Sequence, residues 1–186
     1  MNTVNNVLNG FDLEAIENTV TALKSNPKIA EFKFKATNEW ESGPRNTSKI
    51  QGFYGACQED TTRERPFICS TDMPVVLNGT DVAPSPPEFL LHTLAGCITT
   101  SMMLLASANG IQVDEVTVKV EGDINLNGFL GLDSCILKEY EQIKISIDVE
   151  GDLTSEEKNT LLDLAKKSPI YNTILNPVPV DISLSA

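Results

Sequence analysis

The stretch from Ser85 to Gly110 constrains the fold most, because it is largely apolar and has clear helix signals at both ends. Ser85 is a good N-cap, the prolines Pro86 and Pro87 suit a first helical turn, and Asn109–Gly110 supplies a left-handed stop. About twenty residues lie between these signals, which makes roughly 30 Å of helix. Apolar side chains occur nearly all round this helix, so the pattern predicts a buried one.

The same length fits a membrane span, so that alternative has to be weighed. Hydroxyl side chains lower the hydrophobicity of the stretch, namely those of Thr93, Thr99, Thr100, Ser101 and Ser107. No Lys or Arg flanks it closely. The rest of the chain offers alternating strands that need an apolar element to pack on. We therefore predict a central core helix and no membrane partner.

Size, charge and cysteine usage exclude several function classes. The 186 residues make one domain, or one domain with an arm, and the formal charge of −12 argues against nucleic acid or an anionic membrane. The N-terminus lacks a basic region followed by an apolar run, which predicts no secretory signal and a cytoplasmic protein. Four cysteines without a CxxC pair predict free thiols, with no metal site and no cofactor.

Hydrophobic periodicity along the chain predicts an α+β fold. Residues 11–25 have helical spacing with Asp12 as N-cap, and strands are expected over 32–40, 47–54 and 65–71, with a polar connection at 56–64. After the long helix, strands at 116–120 and 143–149 enclose a glycine-rich segment. A capping box, Thr154–Glu157, opens a helix to Lys167, Ser168–Pro169 restarts one to Leu175, and residues 178–184 close as a strand.

This order predicts an antiparallel sheet wrapped around a long buried central helix. Residues 1–28 form an N-terminal helical arm in this interpretation, and residues 29–186 form the main domain.

Cys97 lies in the middle of the long helix, and two interpretations of it are open. A free cysteine is often a small buried apolar residue. A reactive thiolate would need a neighbouring cation, because Cys97 is too deep in the helix to use the N-terminal dipole. The lone histidine, His92, is about 140° away around the helix and cannot act as its base within one chain.

The run Pro86–Cys97 resembles the Pro-Glu-x-Leu-(apolar)-Cys helix of the OsmC/Ohr family of thiol-dependent peroxidases. The preceding Asn78-Gly-Thr, the element order and Ser168–Pro169 agree with that resemblance, and Gly128–Leu132 is similar to a segment of an OsmC-like subgroup. The match covers roughly residues 29–186. The resemblance implies an intertwined homodimer whose central helices pack together, with active sites at the subunit boundary.

The resemblance also implies site residues. Cys97 would be the peroxidatic nucleophile, attacking an organic hydroperoxide, and an arginine from the first strands would activate it. Arg45 occupies the matching region, with Arg63 and Arg65 as alternatives and an exposed turn cation as the plain interpretation of Arg45. Phe129, Leu130 and Ser168 are expected to line the substrate pocket.

Two departures from the family pattern limit this transfer. The family's resolving cysteine opens the last helix as Cys-Pro, whereas this chain has Ser168 there, which caps a helix but forms no disulfide. The acid of the hydroperoxidase branch aligns with Pro87. Glu88 matches the neighbouring acid of the OsmC branch, where it either holds the arginine or stabilises the helix N-terminus.

Two functions from different classes therefore remain open. The first is a thiol peroxidase with an external thiol reductant, unless Cys57, Cys69 or Cys135 resolves Cys97. The second is a non-enzymatic homodimer that binds a small hydrophobic ligand, which the serine at position 168 favours.

Overall fold

The computed structural model describes residues 6–176 and 178–184. Within it the chain divides into two compact units: unit 1 comprises Met1–Leu13 and Leu91–Ala186, and unit 2 comprises Glu14–Leu90. The sequence-based boundary between an arm at 1–28 and a domain at 29–186 stays a prediction.

Unit 2 contains two small antiparallel sheets rather than one. The strands β4 (Thr37–Ser42), β5 (Arg45–Ile50) and β8 (Phe67–Thr71) pair in the order β4-β5-β8. The strands β3 (Lys33–Phe34), β6 (Phe53–Gly55) and β7 (Gln58–Asp60) pair in the order β3-β6-β7. Two of the predicted long strands are therefore each broken in two, and the polar connection at 56–64 contributes β7.

The strand β7 was missed in the sequence because the turn between β6 and β7 lacks the usual hairpin residues. The two central residues of this turn, Ala56 (φ 50°) and Cys57 (φ 65°), both adopt the left-handed conformation. A two-residue hairpin of this kind is normally signalled by Asn or Gly. Neither residue gives that signal here, so the polar composition alone predicted a loop.

Unit 1 is built on the two-stranded ribbon of β9 (Glu115–Ile124) and β10 (Tyr140–Glu150). Over residues 115–121 and 143–150 the strands alternate, with valines and isoleucines turned towards the core and polar side chains turned away. The helix α2 (Pro86–Ala108) contributes Leu94, Ile98 and Met102 to the same core. The helices α4 (Ser155–Ala165) and α5 (Pro169–Leu175) complete it through Leu161, Leu164 and other side chains.

The helix ends agree with the sequence expectations, because capping is local chemistry. Thr154 and Glu157 form the predicted capping box at the start of α4, and the Ser168 hydroxyl accepts from the Tyr171 amide at the start of α5. At the end of α2, Gly110 adopts φ 72° and its amide donates to the Ser107 carbonyl, which is the predicted left-handed stop.

The helix α2 is buried on one side and exposed on the other. Met102 and Ala106 are fully buried, while Leu90 and Leu104 are 41% and 38% exposed. By length and composition α2 could cross a membrane, a test that core helices of soluble proteins also pass. Its contacts with the strands of unit 1 match the central core helix predicted from the sequence.

A short N-terminal hairpin, β1 (Val7–Leu8) and β2 (Phe11–Asp12), precedes α1 (Leu13–Ser25). The sequence prediction started a helix at residue 11 and missed this hairpin, although Asn9–Gly10 is a strong hairpin signal. The Asn9 amide donates to the Ser107 hydroxyl (3.0 Å) and to the Ile111 carbonyl (2.9 Å), and its oxygen accepts from the Val113 amide (2.9 Å). The hairpin is thereby fixed to the C-terminal end of α2.

The predicted closing strand is wrong. Residues 178–184 form no strand in the described chain, and Ile182 and Leu184 are almost completely exposed. The alternation of apolar residues was read correctly, but a strand also needs a neighbouring strand for its backbone groups. The glycine-rich segment contains one short helix, α3 (Leu126–Phe129).

Candidate functional site

Cys97 lies half-buried on α2, next to the buried Ile98. Its Sγ is 4.0 Å from the Oγ of Ser101, one helical turn later, and either atom could be the donor. Because residues three and four apart share a helix face, Cys97 belongs to the side of α2 that carries Thr93, Thr100 and Ser101. A hydroxyl in this position can donate to a thiolate or to an oxygen that has been transferred to the sulfur.

Arg45 stands at the start of β5 in unit 2, whereas Cys97 belongs to unit 1. Its guanidinium Nη2 donates to Oε2 of Glu41 at 3.1 Å, and Glu41 also accepts from the Thr47 hydroxyl. Both partners are nearly half-exposed, at 47% and 41%. An exposed ion pair of this kind contributes little stability, so the guanidinium could leave Glu41 at small cost. The assignment of Arg45 to Cys97 stays a prediction.

Arg63 is held by aromatic rings. Its guanidinium carbon lies 5.3 Å from the ring centroid of Phe53 and 5.1 Å from that of Phe67, and Nη1 donates to the Gln51 carbonyl at 2.9 Å. The pKa of Asp60 lies below its usual value, mainly because Asp60 accepts from the Thr62 hydroxyl and amide, with Arg63 adding a smaller effect. These contacts favour a structural role for Arg63 over catalysis. Arg65 is exposed.

Glu88 binds the N-cap of its own helix. Its Oε2 accepts from the amide and from the hydroxyl of Ser85, both at 2.7 Å. These two bonds, the hydroxyl first, hold the pKa of the Glu88 carboxyl below its usual range. Of the two roles weighed for Glu88, this geometry is that of the helix stabiliser, while a catalytic role stays a prediction.

The three residues predicted to line a substrate pocket lie in unlike surroundings. Phe129 and Leu130 are 65% and 60% exposed at the end of α3. Ser168 is fully buried, and its hydroxyl caps α5. Their shared assignment to a pocket stays a prediction.

All four cysteines are free thiols. Cys57 and Cys135 are exposed in turns, and Cys69 is half-buried on β8 opposite Ser48. Among residues 6–176 and 178–184, no cluster of His, Cys, Asp and Glu could hold a metal ion.

Sequence reasoning missed an apolar groove in unit 1, which lies between α2, β10, α4 and α5. It consists of three adjoining cavities of about 300, 320 and 70 Å³. The first two share Ile147 and Leu162, and the last two share Ile143, Ile145 and Tyr171. The larger two have the size of small-molecule sites. The isoleucine alternation of β10 was visible in the sequence, but the spacing between β10 and the helices was not.

The fold and the cysteine helix together define an α+β protein of the OsmC type. The chain matches the family model described as OsmC-like protein over residues 79–183, which is more than half of its length. The chain belongs to this family. No curated protein matches its sequence.

Solved structures show the same fold. An OsmC like protein from Mycoplasma pneumoniae matches with a TM-score of 0.60 at 19% identity, covering 78% of this chain and 89% of its own. A candidate osmotic stress induced and detoxification response protein from Psychrobacter arcticus matches at 0.58 and 18%, covering 76% and 88%. An organic hydroperoxide resistance protein OsmC from Legionella pneumophila matches at 0.51 and 16%, covering 76% and 89%. At these identities the likeness concerns the fold.

Proposed function

We propose that this chain is a cytoplasmic thiol-dependent peroxidase that reduces organic hydroperoxides through Cys97. The observation that carries the proposal is the mid-helix position of Cys97 in a chain of the OsmC-like family, half-buried and beside the Ser101 hydroxyl. The name of the Legionella relative, an organic hydroperoxide resistance protein, agrees with this substrate class. Four free thiols agree with a reducing compartment.

The proposed reaction begins with the Cys97 thiolate, which attacks the outer oxygen of R–O–O–H. A sulfur–oxygen bond forms, the oxygen–oxygen bond breaks, and the alkoxide takes a proton and leaves as the alcohol. Arg45 would orient the peroxide and stabilise the developing negative charge after exchanging its Glu41 contact. Glu88 would hold that arginine, or keep the helix N-terminus in place.

The cycle would use one cysteine of this chain. Ser168 occupies the position of the resolving cysteine and is fully buried as a helix cap. The Cys97 sulfenic acid would therefore condense with an external thiol, which releases water and forms a mixed disulfide. A second external thiol would then attack that disulfide and restore Cys97, leaving the oxidised external disulfide.

We further propose that the working protein is a homodimer joined along α2. The support is the exposed apolar side of this helix, which carries Leu90 and Leu104 on one face, about 40° apart around the axis. A Cβ added at Gly96 would meet open space in the single chain, so close helix contact is sterically free there.

The experiment is hydroperoxide consumption by purified protein in the presence of a dithiol reductant. Wild type and the single variants Cys57→Ser and Cys135→Ser are expected to consume cumene hydroperoxide equally. Cys97→Ser should lose all measurable activity and all sulfenic acid that dimedone can trap. Equal consumption by Cys97→Ser and wild type would overturn the peroxidase proposal.

A second candidate function is binding of a small apolar ligand without catalysis. The groove of unit 1 favours it, because its cavities of about 300 and 320 Å³ are lined mainly by apolar side chains. Two results together would select this function. The wild-type protein would consume no peroxide, and a folded Cys97→Ser variant would bind an apolar dye as tightly as wild type does.

A further inference from the structure

The Ser101 hydroxyl is bonded differently from other hydroxyls of α2. Thr99 and Ser107 each donate to the backbone carbonyl four residues earlier, at 3.0 and 2.8 Å, which is a common bond for a hydroxyl inside a helix. Within the part of the chain that the structure describes, the Ser101 hydroxyl instead contacts the Sγ of Cys97 at 4.0 Å. Helical side chains lean towards the N-terminus, so Ser101 reaches back over the turn that carries Cys97.

The distance between Sγ and Oγ suits an oxidised sulfur better than a thiol. Sulfur is a weak hydrogen-bonding atom, and at 4.0 Å its bond to the hydroxyl is weak. An oxygen transferred to the Cys97 sulfur and turned towards Ser101 would lie closer to Oγ than the sulfur does, and O–H···O bonds are best at about 2.7–2.8 Å. The space between the two side chains therefore fits the oxygen of a sulfenic acid.

A sulfenic acid on Cys97 has to persist until an external thiol arrives, because Ser168 occupies the position of the resolving cysteine. Condensation with the next backbone nitrogen is blocked, since the Ile98 amide lies inside α2, where amides are hydrogen-bonded. The competing reactant is a second molecule of hydroperoxide. In that reaction the sulfur bonds to the outer oxygen, the oxygen–oxygen bond breaks, the alcohol leaves, and Cys97 becomes a sulfinic acid.

We propose that Ser101 is a catalytic residue that binds the oxygen of the Cys97 sulfenic acid and protects it from this second oxidation. The Ser101 hydroxyl accepts from the sulfenic O–H and donates to the carbonyl four residues earlier, since a hydroxyl has one donor and two acceptor sites. This bond keeps the proton on the sulfenic oxygen, which makes the sulfur a poor nucleophile towards peroxide. The sulfur stays open to a thiol, whose attack forms the mixed disulfide and releases water.

The inference rests on the proposed peroxidase function, because it concerns the same sulfur. Its test therefore measures how the sulfenic acid divides between two fates. Wild type and Ser101→Ala reduce cumene hydroperoxide in the presence of a dithiol, and mass spectrometry of the Cys97 peptide gives the sulfinic acid formed per alcohol released. Loss of one hydrogen bond should raise this ratio roughly three- to tenfold in Ser101→Ala. A slower first oxidation does not change the ratio, because both fates follow that step.

Two further variants separate the hydroxyl from a structural effect. Ser101→Thr keeps a hydroxyl and should give a ratio close to that of wild type. Thr93 lies four residues before Cys97 on the same face of α2, so Thr93→Val removes a hydroxyl at the same sequence distance and should leave the ratio unchanged. Alanine favours a helix more than serine does, so Ser101→Ala should keep its melting temperature in circular dichroism.

The outcomes distinguish this inference from the function on which it rests. Equal ratios in wild type and Ser101→Ala, with both proteins consuming hydroperoxide, would overturn the role of Ser101 and leave the peroxidase function standing. An equal increase in Thr93→Val would also overturn it, because any hydroxyl of this face would then have the same effect. Absence of sulfenic acid that dimedone can trap in wild type would overturn the peroxidase function and this inference together.

Discussion

Two loops of this chain expose apolar side chains to a similar extent, yet they are held in different ways. The first loop, residues 72–84, precedes α2 and exposes Val75, Val76 and Val82 at 71%, 88% and 66%. The second loop, residues 125–139, joins β9 to β10 and exposes Phe129, Leu130 and Leu132 at 65%, 60% and 72%. Their surfaces alone would not distinguish them.

The first loop is organised around one buried carboxylate. Asp72 is fully buried and accepts from the Met73, Thr80 and Val82 amides and from the Thr80 hydroxyl, the last at 2.6 Å. The Asp72 amide donates to the Pro84 carbonyl, which joins the two ends of the loop. A single side chain therefore ties residues up to ten positions apart.

The second loop is held by short-range bonds. The Asn125 side chain accepts from the Asn127 amide at 3.1 Å, and the Asp133 side chain accepts from the Cys135 amide at 2.8 Å. The Asn127 carbonyl also accepts from the Leu132 amide at 2.8 Å and from the Asp133 amide at 3.3 Å, so the longest of these bonds spans six residues. We infer that the first loop depends on one buried carboxylate, whereas the second loop depends on several bonds among mostly exposed residues.

The largest expected effect comes from removing the buried carboxylate. Asp72→Asn keeps the shape but turns one acceptor oxygen into a donor that faces other donors, so the melting temperature should fall on the order of 10 °C. The matched change in the second loop, Asp133→Asn, affects an exposed turn and should cost about 1 °C. Thermal unfolding followed by circular dichroism measures both. Equal losses would contradict the distinction between the loops.

Glycine substitutions should give a smaller difference in the same direction. A Cβ at Gly79 would overlap the Met73 carbonyl oxygen, and a Cβ at Gly128 would overlap the Leu137 carbonyl oxygen. The first loop cannot shift without breaking bonds to Asp72, so Gly79→Ala should lower the melting temperature by about 5 °C. The bonds of the second loop involve mostly exposed residues and can be exchanged one at a time, so Gly128→Ala should lower the melting temperature by roughly half as much. A larger loss for Gly128→Ala would show that the second loop is the more rigid.

Acid should weaken the first loop selectively. The Thr80 hydroxyl, followed by backbone amides, lowers the pKa of Asp72 from 3.8 to about 2, although burial acts in the opposite direction. Because the folded value is below the unfolded one, this stabilisation is complete above about pH 4 and is lost as the pH falls towards 2. The gap in melting temperature between wild type and Asp72→Asn should therefore narrow over that window. A constant gap would exclude the carboxylate charge as its cause.

The smallest changes in melting temperature are expected for substitutions of exposed apolar residues in the two loops. Val76→Gln and Phe129→Gln should each change the melting temperature by less than about 2 °C, because neither side chain is buried in the chain. Sedimentation velocity on the same variants then reports whether either side chain contacts a second copy of the chain. A large stability loss in either variant at a concentration where the protein is monomeric would contradict the exposure seen here.

The ends of the longer helices could be predicted closely, because helix capping depends on residues that are neighbours in the sequence. The hydroxyls of Thr154 and Ser168 cap α4 and α5, and Gly110 stops α2, as the sequence indicated, while Ser85 lies directly before α2 and donates its hydroxyl to Glu88. The α+β class followed from the change between helical and alternating periods. These features depend on residues within one or two turns of each other.

The strands were predicted less well, because pairing depends on distant residues. The breaks that separate β3 from β4 and β5 from β6 arise from which strands each half meets. The segment 178–184 has strand periodicity but pairs with no strand among the residues that the structure describes. No local signal distinguishes these cases.

The candidate site was predicted through family resemblance more than through residue chemistry. Cys97 and Ser168 follow from their positions in the motifs, and the family membership is confirmed. The contact of Arg45 with Glu41 joins the two ends of the turn between β4 and β5, so the spacing could have suggested it. The groove beside α4 could not be predicted, since its width depends on how helices pack on β10.

The bond between Asn9 and the end of α2 has a consequence for folding kinetics. Its partners are separated by 98 to 104 positions in the sequence. During synthesis the hairpin leaves the ribosome long before Ser107. Its bonds to the end of α2 cannot form until that part of the helix has been synthesised. Such a high-contact-order closure is expected late in folding, so a chain shortened at its beginning should still collapse quickly and yet lose its final, slow step.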